Sequence, residues 1–359
     1  MLCALCVFCG RVSFAFFPPV HVSFLMLKPF ALTGIGSLPH RDPEDACSLV
    51  LRTFDIPFWP QLPNVSFREL MIAQYSEGMP FVKIDAERES VVLHRLGSDD
   101  LERFYESYTD TSRIAISEDY ARGFHAFLRA IRTKRFETLK GQITGPLTFT
   151  LGLKDDEGKI VYFDEELREI ALMLLKAKAR WQIDHLGQFA EEVLIFIDEP
   201  ILSALGSSAY LGVSREEALR LLRETSGAIR DSGGIPGIHC CGNADWPLVI
   251  ESGVTVINFD AHSYFENFTI YHEEIKKFLD NGGYLAWGIV PTTDAITDET
   301  PESIIADFSR KFEALSKHIP AETLSSQLIL TPSCGTGSRT VDETIKIFQL
   351  LMRLKEAVT

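Results

Sequence analysis

The sequence predicts an α/β fold, a single (β/α)8 barrel in which eight parallel strands alternate with helices. Two observations predict this class. Short apolar runs that end in Gly, Pro or a polar residue recur eight times, at residues 31–36, 58–62, 141–145, 193–198, 237–241, 254–260, 284–290 and 328–334. The segments between these runs carry apolar positions at helical spacing, as the crossover helices of parallel sheets do.

Composition and charge narrow the class of protein. The chain has 359 residues, a length that such barrels reach as one domain, and 46% of them are hydrophobic, enough for a large core. The formal net charge of -15 argues against nucleic acid or an anionic membrane as a partner, because like charges repel. The seven cysteines follow no disulfide-framework spacing, which favours a reducing compartment and predicts a cytoplasmic protein.

Residues 1–27 are predicted to be an apolar leader outside the fold, and residues 28–359 the domain itself. The leader has no positive charge near its start and contains a Pro-Pro pair, unlike a secretory signal, and it is short for a membrane span. Met26 is an alternative start for the working protein. A cleaved or anchoring signal, and a metal cluster built from the three cysteines of the leader, are interpretations that stay open.

Helix boundaries are marked by capping residues. Asp42 and Asp164 are predicted N-caps, and Gly233, Gly253 and Gly282 stand where helices should end. The main amphipathic segments are residues 165–189, 215–232, 269–281, 302–318 and 341–355.

The long stretch of residues 67–135 departs from a regular barrel. Residues 81–85 and 90–93 are two strand-like pieces that flank a charged turn. This pattern predicts a β-hairpin inserted after the second strand.

Polar and metal-ligating residues follow several of the predicted strands. Since active residues in barrels of this class lie at the carboxyl ends of the strands, these residues are the candidates for chemistry. They are Ser37 after the first strand, Asp198 and Glu199 after the fourth, His239 and Cys241 at the fifth, Asp260 at the sixth and Cys334 at the eighth.

His239 and Cys241 are the strongest signal among these candidates. Side chains alternate along a strand, so these two point the same way and Cys240 points the opposite way. With Cys334 they would give zinc one nitrogen and two thiolates, and Asp260 is a candidate fourth ligand. Such a set is formally neutral, which makes it a poor activator of water but suits it to hold a thiol as its thiolate. The reaction indicated is alkyl transfer to sulfur.

Other interpretations of the same residues stay open. Cysteine is among the most buried residue types, so Cys334 is also compatible with plain core packing. Asp260 and Asp198 are each compatible with a helix-capping role instead of a functional one. Cys47 and Cys240 are assigned to packing.

Seven segments form a recognisable set in their order and spacing: residues 35–37, 144–146, 198–200, 239–241, 256–260, 288–290 and 331–335. Together they resemble the C-terminal catalytic barrel of cobalamin-independent methionine synthase, over residues 32–355. The wider superfamily also includes uroporphyrinogen decarboxylase, which uses no zinc, and corrinoid-dependent thiol methyltransferases, which share a His-x-Cys-Gly-Asn element like residues 239–243.

The resemblance implies a zinc site and a catalytic role for two carboxylates. His239, Cys241 and Cys334 would be the zinc ligands. Asp260 stands where the family has a glutamate, one methylene longer, and is predicted as a further ligand. Asp198 and Asp260 are the predicted catalytic residues.

The resemblance also implies an amino-acid site. Backbone and hydroxyl groups of Ile35, Gly36 and Ser37 would hold the carboxylate of the substrate, and Asp198 its ammonium group. A further family acid that contacts the ammonium group is assigned to Glu87, with Asp85 as the alternative.

The function implied is methyl transfer to the thiol of homocysteine, which gives methionine. The folate-using enzyme of the family is about twice as long as this chain, so a methylated corrinoid on a separate protein is the expected donor. Alternatives are transfer to another small thiol such as coenzyme M, a zinc site that is only structural, and a decarboxylase of the porphyrin type.

Overall fold

The computed structural model describes residues 27–94, 99–108 and 114–359. Within these ranges the protein is an α/β fold built on a curled six-stranded parallel sheet, in agreement with the predicted fold class. Residues 1–26, which hold most of the predicted leader and the alternative start at Met26, lie outside the described residues. In the part of the chain that is described, no helix combines the length and the apolar character needed to cross a membrane.

The described residues form nine strands. They are β1 (Val82–Asp85), β2 (Ser90–Leu93), β3 (Phe136–Thr144), β4 (Lys154–Asp155), β5 (Ala190–Asp198), β6 (Ile235–Cys240), β7 (Val256–Phe259), β8 (Tyr284–Val290) and β9 (Leu328–Pro332). The main sheet has the order β3-β5-β6-β7-β8-β9 with every neighbour parallel. Strands β1 and β2 pair antiparallel in a separate sheet with β4.

Helices follow most strands of the main sheet. They are α1 (Pro43–Thr53), α2 (Met71–Tyr75), α3 (Asp99–Tyr108), α4 (Arg122–Ile131), α5 (Pro146–Gly152), α6 (Glu165–Leu186), α7 (Arg215–Asp231), α8 (Trp246–Glu251), α9 (Phe265–Thr269), α10 (His272–Asp280), α11 (Pro301–Ser316), α12 (Ala321–Ser326) and α13 (Val341–Val358).

The predicted helix ends are confirmed. Asp42 accepts hydrogen bonds from two N–H groups of the first turn of α1, and Asp164 accepts one from the first turn of α6. Gly233, Gly253 and Gly282 have φ angles of 82°, 79° and 84°, the left-handed conformation that glycine adopts without strain.

One predicted helix begins later than expected, and a short separate helix precedes it. Residues 269–281 were expected to form a single helix, whereas the structure ends α9 at Thr269 and begins α10 at His272. The break falls at a β-branched and aromatic run with low helix propensity. Ile270 within it is 71% exposed, so burial gives no compensating stabilisation there.

Two of the eight predicted strands form only single bridges. Leu32 pairs with Leu330 of β9, Ser37 with Gln61, and Phe58 with Lys140 of β3, all in parallel orientation. The segment 56–63 carries three prolines, which cannot donate to a ladder, so regular pairing is interrupted there. Residues 31–37 and 56–61 thereby contact both edges of the main sheet.

The two faces of the main sheet bury different sets of side chains. The helix-covered face belongs to the large apolar core, which includes Ile195, Ile238 and Ile257. The opposite face, called the inner face from here on, carries a second cluster with Phe196 and Val256. Side chains alternate along each strand, so residues two positions apart lie on the same face. This rule assigns six polar residues to the inner face. They are Lys140, Gln142, Asp198, His239, Asn258 and Thr331.

Substitution of Gly123 tests how α4 packs. A Cβ atom at Gly123 would lie 1.7 Å from the carbonyl oxygen of Pro60, and backbone cannot easily move away. Gly123→Ala is expected to lower the free energy of unfolding by about 2 kcal/mol or more, as measured by urea titration.

Gly227 in α7 is the matched control, since a Cβ there meets nothing within 4 Å. Gly227→Ala should raise the free energy of unfolding by about 0.5–1 kcal/mol, because alanine favours the helix. Equal stability of the two variants would contradict the packing of α4 against the segment 56–61.

Candidate metal centre

Three side chains converge at the carboxyl ends of β6 and β9. His239 lies on β6, Cys241 follows that strand, and Cys334 follows β9. Their ligand atoms all lie within 4.8 Å of one another, and the Sγ of Cys334 is 3.6 Å from the Nε2 of His239. The sequence prediction that residues near 240 and 334 meet is therefore confirmed.

Asn258 fixes the orientation of His239. The Nδ2 of Asn258 donates to the carbonyl oxygen of Ala286 at 2.9 Å and to the Oγ1 of Thr331 at 2.7 Å. Its Oδ1 is consequently the atom that accepts from the Nδ1–H of His239. With Nδ1–H bonded to Asn258, Nε2 faces the two cysteines and is the nitrogen that would bind a metal ion once it has lost its proton.

The thiols of Cys241 and Cys334 differ in their pKa values, so the proton between them stays on Cys334. Hydrogen bonds from Cys334 and from His239 hold the pKa of Cys241 well below its usual range. The pKa of Cys334 is raised well above its usual value, because it donates to Cys241 and is buried. Burial lowers the pKa of His239, but the neighbouring Cys241 and Asp198 outweigh burial and raise it overall.

The donor set fits a zinc ion. Zinc prefers nitrogen and thiolate ligands at about 2.0 and about 2.3 Å, and a tetrahedral arrangement then separates nitrogen from sulfur by about 3.6 Å. The separation of 3.6 Å between His239 and Cys334 agrees with that value. Catalytic zinc sites typically have three protein ligands and one exchangeable position, and the described residues bring three such ligands together here.

Asp260 is not one of the three converging residues. It is 6% exposed, and its Oδ1 accepts a hydrogen bond of 2.8 Å from the N–H of Ser263. Burial raises its pKa. The contact that the structure gives Asp260 is therefore the capping one, and its coordination of a metal stays a prediction.

Asp198 lies next to the three converging residues. It ends β5 and is in register with His239 on β6. Its Oδ1 is buried and has no hydrogen-bond partner among the described residues. Burial raises its pKa, while His239 and Lys140 act in the opposite direction. A buried carboxylate oxygen without a partner is suited to a cationic ligand.

The segment from Ile35 to Ser37 contacts the loop that begins at Cys334. The Ser37 carbonyl accepts from the Thr336 N–H at 2.9 Å, and its hydroxyl accepts from the Gly337 N–H at 3.2 Å. The bridge to Gln61 uses the carbonyl of Gly36 and the N–H of Leu38, and thus not the N–H groups of Gly36 and Ser37. The structure therefore places the predicted carboxylate-binding segment beside the candidate metal centre.

The contacts of the two acids predicted after the second strand, Glu87 and Asp85, are local ones. Glu87 is exposed in the turn between β1 and β2, and its N–H donates to the Oδ1 of Asp85 at 3.2 Å. Asp85 also accepts from the N–H of Arg88. A role for Glu87 in substrate binding stays a prediction.

The sequence analysis did not single out Lys140 or Gln142, which are both buried on the inner face. The Nζ of Lys140 donates to the Ile35 carbonyl and lies 4.4 Å from the centroid of the Phe196 ring. Burial lowers the pKa of this lysine. The sequence signal for these two residues was their spacing, since Lys140 and Gln142 alternate with Leu139, Gly141 and Ile143 along the strand.

Glu199 has a structural role at the neighbouring helix. It accepts hydrogen bonds of 2.8 Å from the N–H groups of Leu147 and Thr148 and of 2.7 Å from the Thr148 hydroxyl. Burial raises its pKa to about 7. Glu199 thus fixes the start of α5 against β5, next to Asp198.

The fold and the site together define an α/β protein with a candidate His/Cys/Cys metal centre at the end of a parallel sheet. No protein-family profile and no curated protein matches the chain. Among solved structures, a B12-independent methionine synthase from Shewanella sp. W3-18-1 in complex with selenomethionine is similar. Its TM-score is 0.57 at 17% identity, over 92% of this chain and 98% of that chain.

Two carbohydrate-active enzymes are also similar, at lower scores. Xylanase B from Clostridium stercorarium F9 has a TM-score of 0.32 at 14% identity, over 63% of this chain and 72% of that chain. An endoglucanase from Clostridium longisporum has a TM-score of 0.31 at 10% identity, over 65% of this chain and 85% of that chain. At these identities, what the comparisons establish is the fold that this chain shares with the Shewanella protein.

Removal of the Asn258 amide tests the orientation of His239. Asn258→Ala is expected to weaken zinc binding by about 10- to 100-fold, because the imidazole loses the acceptor that fixes its tautomer. Asn258→Asp keeps an acceptor for Nδ1–H and should retain more of the affinity. The measurement is a zinc titration against a chelator of known affinity.

Asn281→Ala, at the exposed end of α10, is the matched control and should leave zinc affinity unchanged. Equal zinc affinity in Asn258→Ala and the unaltered protein would contradict the assigned role of Asn258.

Alkylation tests the unequal sharing of the thiol proton. In zinc-free protein at pH 6, iodoacetamide should modify Cys241 at least about tenfold faster than Cys334, and also faster than Cys47 or Cys240, since the thiolate is the reactive form. Burial raises the pKa of Cys47 and of Cys240 to about 12, so these two stay protonated. Peptide-resolved mass spectrometry measures the rates, and equal rates at Cys241 and Cys334 would contradict the assignment.

Proposed function

We propose that the protein catalyses zinc-dependent methyl transfer to the thiol of homocysteine, which gives methionine. The observation that carries this proposal is the convergence of His239, Cys241 and Cys334 next to the unpartnered carboxylate oxygen of Asp198. The site therefore combines a thiol-binding metal set with a group suited to an ammonium ion. The Shewanella protein of similar fold was solved with selenomethionine, which has the same amino-acid moiety as methionine.

The charge of the ligand set favours this chemistry over hydrolysis. One neutral imidazole and two thiolates cancel the two positive charges of zinc, so the ion would activate water poorly. When bound, the ion would instead lower the pKa of the substrate thiol from about 8.5 and hold its sulfur as a thiolate. His239, Cys241 and Cys334 would hold the ion, and the Asn258 amide would keep the imidazole oriented.

The amino-acid part of the substrate would be held by the chain itself. Asp198 would accept from the ammonium group, and the N–H groups of Gly36 and Ser37 would donate to the carboxylate. Ser37 is hydrogen-bonded to the loop that carries Cys334, so the two binding regions are fixed relative to one another. Fixed ends of the substrate would align its sulfur with the incoming methyl group.

The reaction would be an in-line displacement at carbon. The sulfur lone pair of homocysteine forms the new S–CH3 bond while the bond between the methyl group and its donor breaks. The donor leaves with the electron pair of that bond, and the proton of the thiol is lost to solvent before the transfer. No oxidant or reductant is needed.

The proposal includes two features of the wider protein. The first is a closed (β/α)8 barrel, which the bridges of residues 32, 37 and 58 to their neighbours support. The second is a methylated corrinoid on a separate protein as the methyl donor. The support for that donor is the His-x-Cys-Gly-Asn element at residues 239–243, which resembles corrinoid-dependent thiol methyltransferases.

The central test combines zinc content with product formation. Purified protein should hold about one zinc per chain and form methionine from homocysteine when methylcobalamin, methylated corrinoid protein or methyltetrahydrofolate is offered in turn. Cys334→Ala should lose most of the zinc and reduce methionine formation at least about 100-fold, because one of three ligands is gone.

Cys240→Ala is the matched control, since Cys240 is buried on the helix-covered face. It should keep both zinc and activity. Unchanged methyl transfer in Cys334→Ala would remove the proposal. If coenzyme M were methylated in preference to homocysteine, the acceptor would be wrong although the chemistry stood.

A further inference from the structure

Gln142 has a buried side-chain oxygen that no described residue uses. The residue is 1% exposed, and its Oε1 has no hydrogen-bond partner within the described part of the chain. Buried side-chain oxygens in folded proteins are nearly always hydrogen-bonded. The free Oε1 of Gln142 therefore indicates a ligand that donates a hydrogen bond to it.

The amide of Gln142 is held in one orientation. Its Nε2 donates to the carbonyl oxygen of Trp59 at 3.2 Å, so the nitrogen of the amide already has a hydrogen-bond partner. The backbone at this position is fixed as well, because the Gln142 carbonyl accepts from the Tyr75 hydroxyl and from the Nε2 of Gln182. The oxygen end of the amide is left to accept from elsewhere.

Gln142 and Asp198 are close neighbours in the sheet. Strands β3 and β5 are in register, with Gln142 opposite Phe196 and Thr144 opposite Asp198. Phe196 belongs to the inner-face cluster, so Gln142 and Asp198 point to the same side of adjacent strands. Among the residues that the structure describes, neither the Oε1 of Gln142 nor the Oδ1 of Asp198 has a hydrogen-bond partner, and both atoms are buried.

Gln142 also borders the segment proposed to hold the substrate carboxylate. A Cβ atom on Gly36 would lie 3.0 Å from the Cδ of Gln142 and 3.3 Å from its Oε1. The amide is thus in direct reach of the backbone of residue 36. Gln142 therefore stands between the carboxylate-binding segment and Asp198.

The buried lysine of the same strand does not account for the free oxygen. Lys140 lies two residues before Gln142, but its Nζ donates to the Ile35 carbonyl. Because the Gln142 oxygen has no partner, Lys140 does not bind it. The group that donates to the Gln142 oxygen would therefore belong to a bound ligand.

We propose that Gln142 Oε1 and Asp198 Oδ1 together accept hydrogen bonds from the ammonium group of the amino-acid substrate. Gln142 is then a specificity-determining residue that favours an amino-acid thiol over a thiol without an amino group. The inference rests on the proposed function, since homocysteine supplies the ammonium group. It gives Gln142 the second ammonium contact that the sequence analysis assigned to Glu87.

The chemistry of the pair suits an ammonium ion. An ammonium group has three N–H donors and needs several acceptors when it is buried. Asp198 supplies the compensating charge, and a neutral amide supplies a further acceptor without placing a second negative charge beside the first. A thiol that lacks the ammonium group would leave both oxygens buried and unpaired, which penalises its binding.

The test compares two thiols that differ only in the ammonium group. Homocysteine and 4-mercaptobutanoate are titrated into zinc-loaded protein by calorimetry. Gln142→Met should weaken homocysteine binding about tenfold, the effect of one lost hydrogen bond to a charged group, and leave 4-mercaptobutanoate within about twofold. Gln142→Glu, which keeps an oxygen acceptor, should retain the preference for homocysteine.

Gln74→Met is the matched control. Gln74 is as buried as Gln142, but both ends of its amide are bonded, to the Nε2 of Gln61 and to the carbonyl of Tyr120. It should change stability and leave the ratio of the two affinities unaltered.

The outcomes separate this inference from the proposed function. Suppose that the unaltered protein prefers homocysteine. If Gln142→Met then keeps that preference, or if it loses affinity equally for both thiols, the inference is overturned. The proposed function stands in both cases. If the unaltered protein binds neither thiol, the proposed function fails with it. If Gln142→Met does not fold, loss of the preference in Gln142→Glu overturns the inference.

Discussion

The candidate site depends on one hydrogen-bonded amide. Asn258 on β7 connects His239 on β6, Ala286 on β8 and Thr331 on β9, so four neighbouring strands meet at one side chain. The amide can satisfy these partners in only one orientation, because the Ala286 carbonyl can only accept. That orientation determines which nitrogen of His239 faces the cysteines, so the sheet itself sets the tautomer that a metal requires.

The side chains of the inner face change from apolar to polar towards the carboxyl ends of the strands. Phe196 and Val256 belong to its apolar cluster, while Asp198 and Asn258 follow them by two positions towards the carboxyl ends. An apolar floor of this kind excludes water from beneath the polar layer, and electrostatic interactions are stronger where water is excluded. His239, Asn258 and Thr331 are hydrogen-bonded to one another, whereas Gln142 and Asp198 each keep a buried oxygen with no partner among the described residues.

Much of the site could be predicted from the sequence, because its strongest signals are local. His239 and Cys241 are two residues apart, and alternation in a strand places them on one face. The meeting with Cys334 followed from the rule that active residues lie at the carboxyl ends of parallel strands. Gln142 and Lys140 could not be found in this way, since alternation places them on one face of the strand but does not say whether that face is buried. The assignment of Glu87 stays a prediction, because the sequence of residues 67–135 gives no register from which its position could be derived.

The buried charges of the inner face explain why a ligand would complete the site. Burial raises the pKa of Asp198 and lowers the pKa of Lys140, and in both cases it disfavours the charged form. Lys140 compensates Asp198 only in part, since its own ammonium group is bonded to Ile35. A ligand ammonium group placed against Asp198 would stabilise the ionised carboxylate directly. The same burial that makes the free site electrostatically unfavourable thus makes it selective for a ligand that carries a positive charge.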